Sequence, residues 1–362
     1  MKAAQLTVWV VAALLAGCAG NVVVEKPEGL VTVYASAETR PMERAGDAAD
    51  DPVIWLHPAD SSQSLIIGTQ KRGGLRVYDL RGRLVQRLDI GAPNNVDLRY
   101  GVVTATGSRI DLLAASNREF NGVSLLAINP RNRLLRNVAA AEESTDLLQI
   151  YGICMGQRGE ETFVYANSRD GTIYHYRVVA ENANRVALER VRVLKIPTQV
   201  EGCVVDDRSG QLFVNEEDAG LWKFGAWPED SVDGSVIVRV GEYGLADDLE
   251  GVTLAHTRNG GHLVLSSQGN STYGVFDLIS PHAYRGSFQV GDIRAQDGTS
   301  YTDGLDILAS AVGQYANGLA VIQDGKNTRP RENQNFKLVD WGEVARALNL
   351  ETWPEFDPRR QE

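Results

Sequence analysis

Apolar residues fall in short runs, each followed by a polar, glycine-bearing turn and a second run rich in aromatics. Six segments repeat this arrangement: Leu65 to Tyr78, Leu112 to Ile128, Phe163 to Tyr176, Leu212 to Phe224, Leu263 to Phe276 and Leu319 to Val339. They recur about every 50 residues, the period of propeller blades rather than of helical solenoids. Each unit has room for four strands, which in the first are Val53 to Leu56, Leu65 to Ile67, Leu75 to Tyr78 and Leu84 to Ile90. The last unit supplies only three, ending at Phe336 to Val339, while Leu30 to Tyr34 stands alone before the first. That early strand is therefore expected to close the ring beside the C-terminal unit, leaving no free edge. Only Trp341 to Leu350 carries a helical period. The prediction is an all-β fold: one six-bladed β-propeller over residues 30–350, with antiparallel four-stranded blades and a C-terminal tail over 351–362.

The first stretch differs. Lys2 precedes an apolar run from Leu6 to Leu15 that is too short to span a bilayer, so residues 1–17 read as an export signal. Its Leu15-Ala16-Gly17-Cys18 end is similar to a bacterial lipoprotein box, in which Cys18 is lipidated and becomes the mature N-terminus. An ordinary signal peptide cut after a small residue is the alternative. The lipoprotein reading implies export and anchoring to the bacterial cell envelope at the outer membrane, with 18–29 as linker and the lipid as the only membrane contact. Formal charge is −11 and becomes −12 when Lys2 leaves with the signal. Nothing resembles a basic groove, which argues against nucleic acid. A monomer is expected.

The residues before each innermost strand are Asp50-Asp51-Pro52, Asn94-Asn95-Val96-Asp97, Ile150-Tyr151-Gly152, Val200-Glu201-Gly202, Asp248-Leu249-Glu250-Gly251 and Thr302-Asp303-Gly304. Singly these are turn formers. Recurring at one phase, they converge on the mouth of a central channel, where five of the six carry a carboxylate and the other carries Tyr151. Crowded carboxylates raise one another's pKa. Oxygen-rich crowding of this kind suits Ca2+, which takes roughly six to eight oxygens. Asp47, Glu216-Glu217-Asp218, Asp247 and Asp297 bring the acids beyond what one ion needs, so several Ca2+ ions are expected.

In a propeller the turn joining second and third strands shares the face of those acids. These turns hold Lys71-Arg72-Gly73, Ser116-Asn117-Arg118 and Ser168-Arg169-Asp170, a basic arc suited to an anion. Metal with arginine and lysine is how proteins hold phosphate. The five histidines form no nucleophile motif, and Cys154 lacks the arginine spacing of a cysteine phosphatase. Cys154 and Cys203 lie in adjacent units, a placement open to either a bridge or two buried thiols.

Gly46-Asp47-Ala48-Ala49-Asp50-Asp51-Pro52 before an Ile-Trp strand, Asn94-Asn95-Val96-Asp97, Glu201-Gly202, Glu216-Glu217-Asp218 and Asp248-Leu249-Glu250-Gly251 are together similar to the β-propeller phytases. Ser266-Ser267-Gln268-Gly269-Asn270, Asp297-Gly298, Thr302-Asp303-Gly304 and Asn333-Gln334-Asn335-Phe336 extend the resemblance in order to Trp341. It implies calcium-dependent hydrolysis of phytate, myo-inositol hexakisphosphate, bound as its calcium complex. Metal ligation falls by the same resemblance to Asp51, Glu201, Glu217, Asp248, Glu250, Asp297 and Asp303, with Asp47 and the carbonyls of Pro52 and Val96 at tighter structural ions. Phosphate contacts fall to Lys71, Arg118 and Tyr151, with Arg72 beside Lys71. Arg169 stands where the family usually has lysine, which keeps the charge but alters the hydrogen-bond geometry. The implied mechanism is attack by a metal-activated water, its proton taken by Glu201 or another ring carboxylate such as Asp51, while Tyr151 donates to a phosphate oxygen. Two adjacent phosphate sites are implied, one for cleavage and one for affinity. Two rivals stay open: a six-bladed lactonase-type hydrolase with a single central ion, and a calcium-binding propeller without catalysis.

Overall fold

A computed structural model of the protein describes residues 26–182 and 184–360. The leader, Cys18 and most of the linker expected after it lie outside the described residues. Strands carry nearly all of the regular structure. After β1 (Val31–Glu38) come β2 (Ala49–Trp55), β3 (Leu65–Gln70), β4 (Gly74–Asp79) and β5 (Leu84–Leu88), an antiparallel sheet in that order. Next are β6 (Pro93–Val103), β7 (Arg109–Asn117) and β8 (Gly122–Asn129), with the short β9 (Leu134–Asn137) and β10 (Glu143–Ser144) both on β8. Two further four-stranded sheets follow. One is β11 (Ile150–Arg158), β12 (Glu161–Ser168), β13 (Thr172–Asn182) and β14 (Arg185–Lys195); the other is β15 (Val200–Asp206), β16 (Gln211–Glu216), β17 (Gly220–Gly225) and β18 (Ser235–Arg239). Then come β19 (Leu249–Thr257), β20 (Gly260–Ser267), β21 (Thr272–Asp277), β22 (Tyr284–Gly291), β23 (Leu305–Leu308), β24 (Leu319–Asp324) and β25 (Asn335–Asp340). β1 lies between β22 and β25 and joins these seven into one larger sheet.

The core is a series of seams rather than one centre. Val53, Trp55 and Ile67 pack on Val96, Leu98 and Leu113; Leu112 and Leu125 pack on Ile153 and Val164. Later seams join Phe163 and Tyr165 to Val205 and Val214, Phe213 and Leu221 to Leu254 and Leu263, and Val264 and Val275 to Leu305 and Ile322. Leu319, Val321 and Phe336 then pack on Ile54, Ile66 and Tyr78 of the first sheet. β3 is buried along its whole length, because it is covered by apolar neighbours on both faces. The strands β2, β6, β11, β15, β19 and β23 lie side by side, each against the next, and β23 lies against β2.

Two elements differ from their sequence reading. The stretch predicted beside the C-terminal unit runs instead parallel to β22, with Val31 opposite Phe288. Its continuation reaches the C-terminal strand, pairing antiparallel with β25 from Ala35 opposite Val339. Ala35-Ser36-Ala37-Glu38 has no bulky apolar residue to mark it as strand, yet Ser36 donates to the Leu338 carbonyl and Glu38 receives Lys337. The helix α1 (Trp341–Leu348) is capped by the Asp340 side chain on the Gly342 N–H. It stops before Leu350 because Asn349 adopts a left-handed conformation that ends the helix.

The tail crosses the ends of the innermost strands that lie away from the acids. Ala311 N–H donates to the Pro354 carbonyl, and Phe356 stacks 4.6 Å from His256 at the end of β19. Arg359 holds Asp111 at 2.9 Å and sits 4.3 Å over the Tyr100 ring of β6. Phe356, Pro358 and Arg360 bound a cavity of about 140 Å3 shared with β2, β6, β15, β19 and β23.

Cys154 in β11 and Cys203 in β15 form a disulfide, Cα atoms 5.6 Å apart, which resolves the alternative left open by sequence. The bridge closes a long loop between two sheets, so replacing both cysteines by serine is expected to cost about 2–4 kcal/mol. A denaturant titration reads this as a lower midpoint; an unchanged midpoint would show that the bond adds no stability.

Candidate active site

Each innermost strand begins at the same place relative to its neighbour. Ala49, Pro93, Ile150, Val200 and Leu249 pair with the second strand, and each is followed by an irregularity in register. The next residues, Asp50, Asn94, Tyr151, Glu201 and Glu250, are therefore equivalent, and Asp303 stands at the same approach to β23. All but Asp303 are under 9% exposed.

Glycine explains how these strands come so close. A Cβ at Gly152 would lie 1.9 Å from the Glu201 carbonyl oxygen, and one at Gly202 would lie 2.1 Å from that of Glu250. At Gly251 it would lie 2.9 Å from the Asp303 carbonyl oxygen, and at Gly304 2.6 Å from the Asp51 Cα. Backbone touches backbone at each step, and only glycine fits. Asp51 and Asn95 take the equivalent place in the first two sheets. Asp51 turns into the channel, where its carboxylate accepts the Val96 N–H at 3.0 Å beside Pro52.

The ring thus holds four carboxylates, an amide and a phenol, not the five carboxylates expected. The second sheet contributes Asn94, whose amide donates to Glu201 Oε1. Asp97 lies further along β6, accepts the Met155 N–H at 2.7 Å and pairs with Arg99 at 3.1 Å. The register irregularity between Pro93 and Val96 decides which residue of the block reaches the mouth.

Carboxylate oxygens of Glu201, Glu217 and Glu250 lie within 4.8 Å of one another, all buried. Burial, then Asp50, raises Glu201 to about 8, against the pull of Lys71. Burial and the nearby Asp248 raise Glu217 to about 7 although Gln199 donates to both its oxygens. Asp303 rises to about 7 and Glu250 well above its usual range, chiefly by burial. Asp248, in a left-handed conformation, is raised by burial and by Asp218 and Asp247. Glu250 Oε2 and Asn94 Oδ1 are buried without a hydrogen-bond partner.

Lys71 sits inside this acid group rather than on a separate arc. Its ammonium lies 2.7 Å from Asp47, 3.0 Å from Asp50 and 2.8 Å from Asp303. Burial pulls the ammonium down, but the surrounding acids outweigh it and hold Lys71 above its ordinary value. Arg72 beside it is exposed. Arg169 stacks 4.4 Å over the Tyr151 ring and Arg118 lies 5.9 Å from it, so these three form one group. Asp297 lies apart: Lys337 holds one oxygen at 2.8 Å and Thr328 takes the other. Lys337 also pairs with Glu38 and Asp324. Sequence reasoning passed over Asn94, Gln199 and Gln268, the last donating to Asp303 Oδ1 at 2.6 Å. The Asn-Asn pair at ring phase was the available signal for the first.

The family model described as Phytase matches residues 2–362. A 3-phytase of Bacillus subtilis (strain 168) is 37% identical over 326 residues, covering 87% of this chain and 85% of its own. Among solved structures, an auxiliary nutrient binding protein from Bacteroides thetaiotaomicron VPI-5482 has a TM-score of 0.50 at 8% identity, covering 86% of this chain and 76% of its own. That likeness concerns the fold alone.

The raised carboxylates fix the sign of the pH dependence in metal-free protein. Glu201, Glu217 and Asp303 hold protons when folded that they release when unfolded, so their ionisation opposes folding as pH rises from about 4.5 to about 8. With chelator present, the melting temperature is expected to fall between pH 5 and pH 8. A rise over that interval would contradict the crowding described here.

Proposed function

The chain belongs to the phytase family, and we propose that it releases phosphate from phytate at a calcium centre built on the ring of acids. Hydrolysis of this phosphomonoester is the activity its family and its 3-phytase relative carry. Calcium, the six-bladed closed ring and the individual residue roles are the proposal. The closed succession of innermost strands and the pairing of β1 with β25 support six blades joined by the N-terminal strand.

The observation that carries the proposal is the buried cluster of Glu201, Glu217 and Glu250 beside the Tyr151, Arg118 and Arg169 group. The donors suit a hard cation: all are oxygens, crowded, raised in pKa, and some lack any partner. Glu201, Glu217, Glu250, Asp303 and Asp248 would hold ions at the mouth, and Asp51 with the Pro52 and Val96 carbonyls would hold one below it. Asp47 belongs with Lys71, and Asp297 would serve a site of its own near Lys337. Bound calcium supplies charge neutralisation and a water of lowered pKa.

The protein's own groups do the rest. Arg169 and Arg118, over the Tyr151 ring, would meet phosphate oxygens as paired donors. Burial keeps the Tyr151 phenol protonated, leaving it a donor to the same phosphate. Lys71 links the acid group to the substrate. Glu201, held by Asn94, would take a proton from the attacking water. A net charge of −11 is compatible with a polyanionic substrate if cations stand between the two. The leader and Cys18 support export and a lipid anchor.

Purified protein is expected to release inorganic phosphate from calcium phytate, to stop when chelated and to recover when calcium is restored. No release at any calcium level would sink the proposal. Glu201→Gln should lower kcat by about 10²-fold or more, measured under conditions where the variant melts as the parent does. Parent-like turnover would remove Glu201 from the chemistry.

A further inference from the structure

The second strands carry a repeated feature at the ring. Thr69, Ser116, Asn167, Asn215 and Ser266 each face the register irregularity that holds the ring residue, Gln323 faces the Asp303-Gly304 step before β23, and all are at most 1% exposed. None is charged, although an apolar residue would suit a buried strand better unless these groups bond. Five of them reach across to the approach of the next innermost strand. Ser116 donates to the Tyr151 carbonyl, Asn167 to that of Glu201 at 2.8 Å, and Asn215 to that of Glu250 at 2.7 Å. Ser266 donates to the Thr302 carbonyl at 2.8 Å and Gln323 to the Ala49 carbonyl at 3.2 Å. The acceptor is each time a ring residue or the residue just before one. Thr69 bonds only within its own sheet, with the Asp51 N–H and carbonyl.

We propose that Asn167 and Asn215, with their serine and glutamine counterparts, are positioning residues that fix the ring acids through their peptide groups. The reason lies in the glycines. Close approach demands glycine after Tyr151, Glu201, Glu250 and Asp303, and glycine leaves the peptide between acid and glycine free to turn. A turned peptide swings the acid side chain away from its neighbours. The amide of Asn167 pins the Glu201 peptide, and that of Asn215 pins the Glu250 peptide. Each bond spans two sheets, so each acid is held by the sheet before it, and the ring is set as a unit. Supporting shells of this kind govern how well primary ligands are oriented.

This inference rests on the ring being the hydrolytic centre. The protein supplies its own conservative replacement, because serine makes the same bond to the next innermost strand at two other places in the ring. The test compares Asn167→Ala with Asn167→Ser, and Asn215→Ala with Asn215→Ser, in the full chain. It reads kcat and KM on calcium phytate, the calcium concentration for half-maximal activity, and the melting temperature. The alanine variants should lose about 10- to 100-fold in kcat and need more calcium, with KM changed less than about threefold. The serine variants should return to within about threefold of the parent. Alanine variants that match the parent, or folded serine variants as impaired as alanine, overturn the positioning role. If alanine unfolds the protein, the folded serine variants decide alone: parent-like kcat supports the role and a tenfold loss ends it. A parent that releases no phosphate fails the reading of the ring itself, whereas an active parent with indistinguishable alanine and serine variants fails only the positioning role.

Discussion

Backbone contact between neighbouring innermost strands is the constraint on which the rest of this molecule depends. At Gly152, Gly202 and Gly251 the carbonyl of the next strand occupies the space of a missing Cβ. Strands packed so closely bring one residue from each to a common mouth, and the acids owe their crowding to that approach. The disulfide between Cys154 and Cys203 secures one such step covalently. The apolar seams farther out hold the sheets at the same spacing, so packing and site geometry have one origin.

Crowding creates a cost that the fold does not meet internally. Lys71 is a single ammonium facing three carboxylates, and with Arg169 it offsets the raised Glu201 and Glu217 only in part. Packing of the seams buries these acids together, and that burial, with neighbouring acids adding to it, raises their pKa values. A cation bound there as proposed would stabilise the fold, and activity and folding would then share one ligand. The Asp297 group likewise already holds one cation of its own chain, Lys337.

Much of this was legible in sequence because two requirements coincide in one dipeptide. An acid followed by glycine, recurring with the strand pattern, marks both the mouth and the contact beneath it. What escaped was set by register or by distance along the chain. Choosing Asn94 over Asp97 required knowing where β6 bulges. The split pairing of β1 turned on Ala35-Ser36-Ala37-Glu38, which carries no bulky apolar signal. Lys71 meets Asp303 from 232 residues away, and no local pattern joins them. The buried asparagines of the second strands read as ordinary turn-proximal polar residues until their cross-sheet partners are seen.

The tail over residues 351–360 gives the channel a direction. Phe356, Pro358 and Arg360 stand at the end remote from the acids, against the strands that line the interior. With the tail lying over that end, the proposed site at the acids would be approached from the opposite face. On the proposed reading, ions bound near Asp51 would enter and leave past the same mouth that an inositol phosphate would cover. Residence inside the channel becomes a matter of traffic through the mouth as well as of affinity.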